Sequence, residues 1–226
     1  MTTIYQGHHH DLEKSDVNII IDVIRAFTVA HYAFIYGAKD ILLVGTVEEA
    51  FQLRNEHPKF LLAGEVNGIA IEGFDLENSP YLLTNHNLQN KTLIQKTTNG
   101  VEATLHALDA NHVFVTGFSN AKTTATYIRQ HQLGQHINII ASHPTGDDDL
   151  ACAQYMKSII EGHESIDSED VKARIQSSIV AAKFFDKTKP EFNENDISYC
   201  IKEPPSEFVM KVNQWHGIPK IERVNI

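Results

Sequence analysis

Short aliphatic runs alternate with amphipathic stretches along most of this chain. Val17 to Ile21 is a continuous apolar run and reads as a buried strand. Ala26 to Tyr36 follows as a helix, with Gly37 suited to its C-cap. Asp40 to Val44 reads as a strand. Thr46 then caps a helix from Val47 to Asn55, with Glu48 and Glu49 in the first turn, where the helix dipole favours anions. Phe60 to Ala63, Thr92 to Gln95, Val113 to Thr116 and Ile137 to Ala141 complete a strand set. Helices are predicted over Val101 to Leu108, Ala121 to Gln130 (capped by Ser119) and Leu150 to Glu161. Residues 64 to 80, rich in Gly, Asn, Asp and Pro, read as a long loop, a feature that is disproportionately functional in compact domains.

This alternation predicts an α/β fold: three layers, α/β/α, with a mainly parallel or mixed sheet. A single domain over residues 1–226 is expected. The pattern changes after residue 163. Glu169 to Phe185 is helical, and 163–205 reads as a helical cap or outer layer docked by Phe192, Ile197 and Tyr199. Phe208 to Val224 is expected to add one strand at the sheet edge.

Composition narrows the function classes. A formal charge of -10 argues against broad binding to nucleic acid, which needs clustered Lys and Arg. No apolar run reaches the ~20 residues of a membrane helix, and no membrane partner is expected. Cys152 and Cys200 form no CxxC pair and read as reduced thiols, which points to a cytoplasmic protein. Nothing in the composition bars a homodimer. The run His8-His9-His10 is short for a tag and could bind metal only weakly.

The candidate chemistry lies where strands end. Asp22 and Arg25 leave the first core strand, at the sheet edge where open α/β folds bind ligands. A carboxylate there suits Mg²⁺, and a guanidinium suits phosphate, sulfonate or carboxylate. The same pair also serves as a structural ion pair with Asp22 capping the next helix. Glu65 follows Gly64, a residue that permits close backbone approach to a ligand. Asp75, Asn78 and Ser79 share one loop, as phosphoryl-binding groups or as Asx-turn and capping residues. Thr97-Thr98-Asn99-Gly100 joins a strand to a helix, as an anion-binding turn or a plain cap by Thr98 or Asn99. Asp147, Asp148 and Asp149 open a helix, as solvated caps or as completion of a divalent-metal site. Cys152 reads as an inert core thiol. His143 lies near a strand tip and is the histidine placed to donate a proton, with an ordinary loop residue as the alternative. There is no GxxxxGK[ST], no GxGxxG after the first strand and no DxDx[TV].

Taken in order, IIIDVIRAFTVAHYAFIYGAKDILLVGTVEEA, LLAGEVNGIAIEGFDLENSP, IQKTTNGVEA and GDDDLACAQYM resemble the 2-phosphosulfolactate phosphatase (ComB-like) family, as a divergent branch. The resemblance covers roughly residues 17 to 160. It implies Mg²⁺-dependent hydrolysis of a small phosphorylated anion, 2-phosphosulfolactate or a related hydroxy acid. By that likeness Asp22, Arg25 and Asp75 are catalytic. Asn78, Ser79, Thr97, Thr98, Asn99 and Gly100 bind substrate, and Asp22, Glu65, Asp148 and Asp149 hold the metal. Asp75 is expected to orient Arg25 or to accept a proton from water. Val66 stands where an Arg is common in the family. The alternative is a non-catalytic anion- or metal-binding relative.

Overall fold

The computed structural model describes residues 1–7, 11–163 and 165–226; the histidine run 8–10 lies outside them. The fold is three-layered α/β/α, with eleven strands and eight helices among the described residues. The strands are β1 (Thr2–Gln6), β2 (Ser15–Ile21), β3 (Asp40–Leu43), β4 (Leu61–Val66), β5 (Ile69–Ala70), β6 (Leu76–Glu77), β7 (Thr92–Lys96), β8 (Ala110–Thr116), β9 (Ile137–Ala141), β10 (Phe208–Trp215) and β11 (Ile218–Asn225). The helices are α1 (Ala26–Ile35), α2 (Val47–Glu56), α3 (Gly100–His106), α4 (Ala121–Gln130), α5 (Asp147–Ile160), α6 (Ser168–Ser177), α7 (Ile179–Ala182) and α8 (Glu194–Cys200).

The strand order is β1-β9-β2-β8-β10-β11-β3-β7-β4-β5, with β6 beside β4. Two parallel blocks, β1-β9-β2-β8 and β3-β7-β4, are therefore joined by an antiparallel hairpin. The single edge strand expected over Phe208 to Val224 is instead this hairpin, and it lies in the middle of the sheet. Its polar positions mimic an edge: Lys220 occupies the centre because Asp40 and Glu222 pair with it. Met210 and Ile221 on the other face are fully buried. The strand β1 had no signal in its polar sequence and pairs in parallel with β9.

Crossing the hairpin reverses strand direction, so β7 and β4 run opposite to β2 in the ladder. Five strand-to-strand steps separate β2 from β7. At roughly 20–25° per step, sheet twist accumulates to about 100–125°, which turns the two sets of strand ends back toward each other. Contacts between the blocks show this convergence. The Gln95 side chain at the end of β7 donates 3.0 Å to the Ala26 carbonyl at the start of α1.

Helix α1 fills the concave side of the curved sheet. Residues Ala26 to Phe34 are all buried, and they pack with Ile20, Ala63, Leu93 and Val115 from the two blocks and with Met210 and Ile221 from the hairpin. A helix that is apolar all round must be enclosed in this way. Alternate residues of β2, Ile19 and Ile21, face the other core with α4, α5 and α6. Helix α2 covers the outer face of the second block through Ala50 and Leu53. Thr46 caps α2 with a complete capping box to Glu49. The expected cap Ser119 is not one: its hydroxyl lies 2.9 Å from His31, and Asn120 occupies the N-cap position of α4.

Candidate active site

The ends of β2, β4, β7 and β9 meet at a cleft of about 290 Å³ lined by Asp22, Arg25, Glu65, Asn78, Thr98, Asn99, His143 and Lys183, among others. A second cleft of about 280 Å³ adjoins it and shares Arg25, Glu65, Gly68 and Asn78.

Asp22 follows β2 directly. Its Oδ1 accepts 2.9 Å from the Ala26 amide, so it does cap α1. Its Oδ2 lies against α3: a Cβ at Gly100 would sit 2.6 Å from it, which is why only glycine fits there. Burial pushes the Asp22 pKa up to about 8, with the charges of Asp149 and Glu65 adding to the rise. Asp148 is raised to about 7, chiefly by burial and then by Asp22. Its Oδ1 is buried and has no hydrogen-bond partner, as does Oδ1 of Asn78.

The other carboxylates are more fully engaged. Asp149 Oδ1 accepts 2.7 Å from Val23 N, and Oδ2 accepts from Ser142 Oγ and His143 N at 3.1 and 2.9 Å. It braces the tips of β2 and β9. Glu65 accepts from Thr98 N at 2.6 Å, from the Thr98 hydroxyl at 3.0 Å and from Gly68 N. Among the described residues no three His, Cys, Asp or Glu side chains form a ready-made metal cage. Of the expected set of Asp22, Glu65, Asp148 and Asp149, Asp22 and Glu65 line the cleft and all four are buried. Asp148 has a buried carboxylate oxygen without a hydrogen-bond partner, and the charge of Asp22, which lines the cleft, acts on it; these two could hold a hard cation. One or two carboxylates are the usual protein share of a Mg²⁺ site. Asp147 turns outward to an ion pair with Arg174, 2.5 Å away.

Arg25 is 6% exposed and donates to Asp196 Oδ2 at 2.8 Å and to the Gly68 carbonyl at 3.2 Å. Its guanidinium carbon lies 4.9 Å from the Phe184 ring centre. Asp75 does not orient it. That carboxylate pairs with Arg54 and accepts 2.8 Å from Leu62 N, outside the cleft, so its two expected roles fall away. Ser79 donates 2.5 Å to Asp196 and supports Arg25 at one remove, instead of holding a phosphoryl oxygen. Asn99 occupies the N-cap position of α3, as expected of it or Thr98, but the side chain that accepts from the helix start is that of Thr97, 3.1 Å from Val101 N; Thr98 and Asn99 line the cleft. Gly64 allows a close approach, but to the backbone of β7 and not to a ligand: a Cβ there would meet the Lys96 carbonyl at 1.9 Å. Val66 is 39% exposed and does not line the cleft.

His143 lines the cleft and its Nδ1 accepts 3.2 Å from Thr145 N, which places the neutral ring's proton on Nε2. Cys152 is fully buried, and burial raises its thiol pKa well above the usual range, so it is no nucleophile.

The profile of the 2-phosphosulpholactate phosphatases matches residues 2–214. The chain belongs to that family. A Bacillus subtilis (strain 168) protein named probable 2-phosphosulfolactate phosphatase is 58% identical over 224 residues, covering 99% of this chain and 98% of the relative. Proteins of the same name from Caldicellulosiruptor saccharolyticus and Clostridium novyi are 30% and 29% identical. They cover 88% and 93% of this chain and 90% and 93% of their own lengths. The match extends beyond residue 160, so the tail belongs to the family as well.

That tail carries what sequence reasoning missed. Asp196, on α8, is fully buried and accepts from Arg25, Ser79 and Tyr81 N. Lys183, Phe184 and Phe192 build one wall beside Arg25. The sequence carried one weak signal: Asp196 directly precedes Ile197, a residue expected to dock the tail, but nothing local names its partner.

Proposed function

We propose that this chain hydrolyses a small phosphate monoester, 2-phosphosulfolactate or a related phosphorylated hydroxy acid, with Mg²⁺ as cofactor. The observation that carries the reading is Arg25: a buried guanidinium, fixed by Asp196, faces a cleft whose other side is built of buried carboxylates. Phosphoryl transfer asks for positioning and charge neutralisation, and this arrangement supplies both.

Asp22 and Asp148 would hold the metal, with the amide oxygen of Asn78 as a further neutral donor. Crowded carboxylates with raised pKa values fit a divalent cation, which would favour their ionised forms. When bound, Mg²⁺ supplies Lewis-acid stabilisation to the phosphoryl oxygens. Arg25 binds the remaining phosphoryl oxygens and stabilises charge in the transition state. Glu65 holds Thr98 and the Gly68 turn in place at the cleft wall. His143, its Nδ1 taken by the Thr145 amide, donates Nε2–H as a hydrogen bond to the leaving oxygen; as the P–O bond breaks, the attacking water's oxygen joins the released phosphate and one of its protons passes to the leaving oxygen.

Phosphate release from a panel of phosphomonoesters, with Mg²⁺ and with EDTA, tests the reading. Metal-dependent release from the sulfonated ester supports it. Silence across the panel, with tight anion or metal binding by calorimetry, would make the chain a non-catalytic relative.

A further inference from the structure

We infer that Lys183 is a specificity residue that binds a second anionic group of the substrate, apart from its phosphoryl group. The inference rests on the phosphatase reading above. Lys183 follows α7, and with Val180 and Phe184 it forms one wall of the cleft. Its ammonium lies 4.7 Å from the Phe192 ring centre and 5.8 Å from that of Phe184. Arg25 lies over the same two rings, at 5.9 and 4.9 Å. Two cations therefore share one aromatic floor.

They differ in what holds them. Arg25 has a buried carboxylate and a carbonyl. Lys183 has no salt-bridge partner among the described residues; Asp22, Glu65 and Asp148 act on it only through their charge. Burial, and then repulsion from Arg25, pull its pKa down. A half-buried ammonium beside a guanidinium is favourable when an anion joins them. Arg25 and a metal are enough for one phosphoryl group, so Lys183 is available for another acid. The adjoining cleft leaves room for the body of such a molecule: the two cavities, of about 290 and 280 Å³, meet at Arg25, Glu65, Gly68 and Asn78. Lys183 is thus placed to select a phosphoester with a sulfonate or carboxylate close to the esterified carbon.

Binding by calorimetry tests this without turnover. Sulfolactate, lactate, 2-hydroxyethanesulfonate and inorganic phosphate are titrated into the wild-type chain, Lys183→Met and Lys183→Arg. Lys183→Met should weaken sulfolactate roughly 10–100-fold, the size of one charge-assisted hydrogen bond, and leave phosphate unchanged. Lys183→Arg should retain most of the binding. Loss shared with hydroxyethanesulfonate identifies the sulfonate as the group bound, and loss shared with lactate identifies the carboxylate. Equal sulfolactate affinity in wild type and Lys183→Met overturns the inference, as does a wild type that binds none of the organic anions, or a loss confined to phosphate. A merely structural lysine would shift the melting temperature and leave the anion preference intact. A chain that binds sulfolactate through Lys183 yet releases no phosphate from any ester refutes the hydrolase reading and leaves this one standing.

Discussion

Asp196, on α8, holds Arg25 at the end of β2 across 171 residues of chain, with 2.8 Å between Oδ2 and Nη1 and both side chains buried. Burying a guanidinium is costly unless a partner and further hydrogen bonds compensate it. Here Ser79 Oγ and Tyr81 N fix the other Asp196 oxygen, so the anion that orients Arg25 is itself oriented.

Arg25→Ala should lower kcat/KM on the order of 10²–10³-fold, as removal of a transition-state donor does. Asp196→Asn keeps the shape but weakens the clamp, and a smaller loss is expected. In a double-mutant cycle the two should be strongly non-additive, because Asp196 acts through Arg25. Additive losses would separate them. Asp196→Ala should also destabilise the fold by about 3–5 kcal/mol in urea titrations, since it strands a buried charge.

Mg²⁺ should stabilise the chain against heat. At a hundredfold excess over Kd the gain is about 2.7 kcal/mol, which for a chain of this length is about 5–10 °C by differential scanning fluorimetry. Asp22→Asn or Asp148→Asn should remove most of that shift. Asp75→Asn, outside the cleft, should keep it. A full shift in Asp22→Asn would relocate the metal.

Gly100→Ala should abolish activity while leaving the chain folded enough for circular dichroism. The added methyl would sit 2.6 Å from Asp22 Oδ2 and displace the carboxylate. Kinetics like those of the wild type would show that Asp22 tolerates movement and is not bound by this contact.

His31 is fully buried between the hydroxyls of Ser119 and Ser206, and burial lowers its pKa to about 3. The folded chain keeps it neutral, while the unfolded chain protonates it below its ordinary value of 6.5. Its contribution to stability is therefore complete above 6.5 and declines as pH falls toward 3, by up to about 1.4 kcal/mol per pH unit. Urea unfolding between pH 7 and 4 checks this. His31→Gln should flatten the slope over that window, and an unchanged slope would assign the acid sensitivity elsewhere.

Ile221→Ala should cost about 2–5 kcal/mol, as a buried central position does. A cost below 1 kcal/mol would be the signature of the edge strand first expected from the sequence.

Local patterns determined a good deal. Aliphatic runs of strand length, the Thr46–Glu49 capping box and the helical periods marked most of the α/β units, because each depends on residues a few positions apart. The same patterns marked Asp22, Arg25, Glu65 and Asn78 as polar groups at the ends or junctions of apolar segments, and these do share one cleft. The order of the strands was beyond the reach of such patterns. The hairpin β10-β11 reads as an edge because its charges look solvated, and its central place becomes tolerable when Asp40 from a strand distant in sequence joins Glu222 in pairing with Lys220. The partners of each polar group were equally hidden. Asp75 looks as catalytic as Asp22 until Arg54 and the amide of Leu62 are seen to hold it, and nothing local shows that Asp149 accepts from the amides of Val23 and His143. Asp196 and Lys183 look like ordinary surface residues until the tail folds over Arg25. Sequence spacing records what one segment can do alone. Burial and partnership are set by segments far apart in the chain, and those decide which charges face the cleft and which are already satisfied.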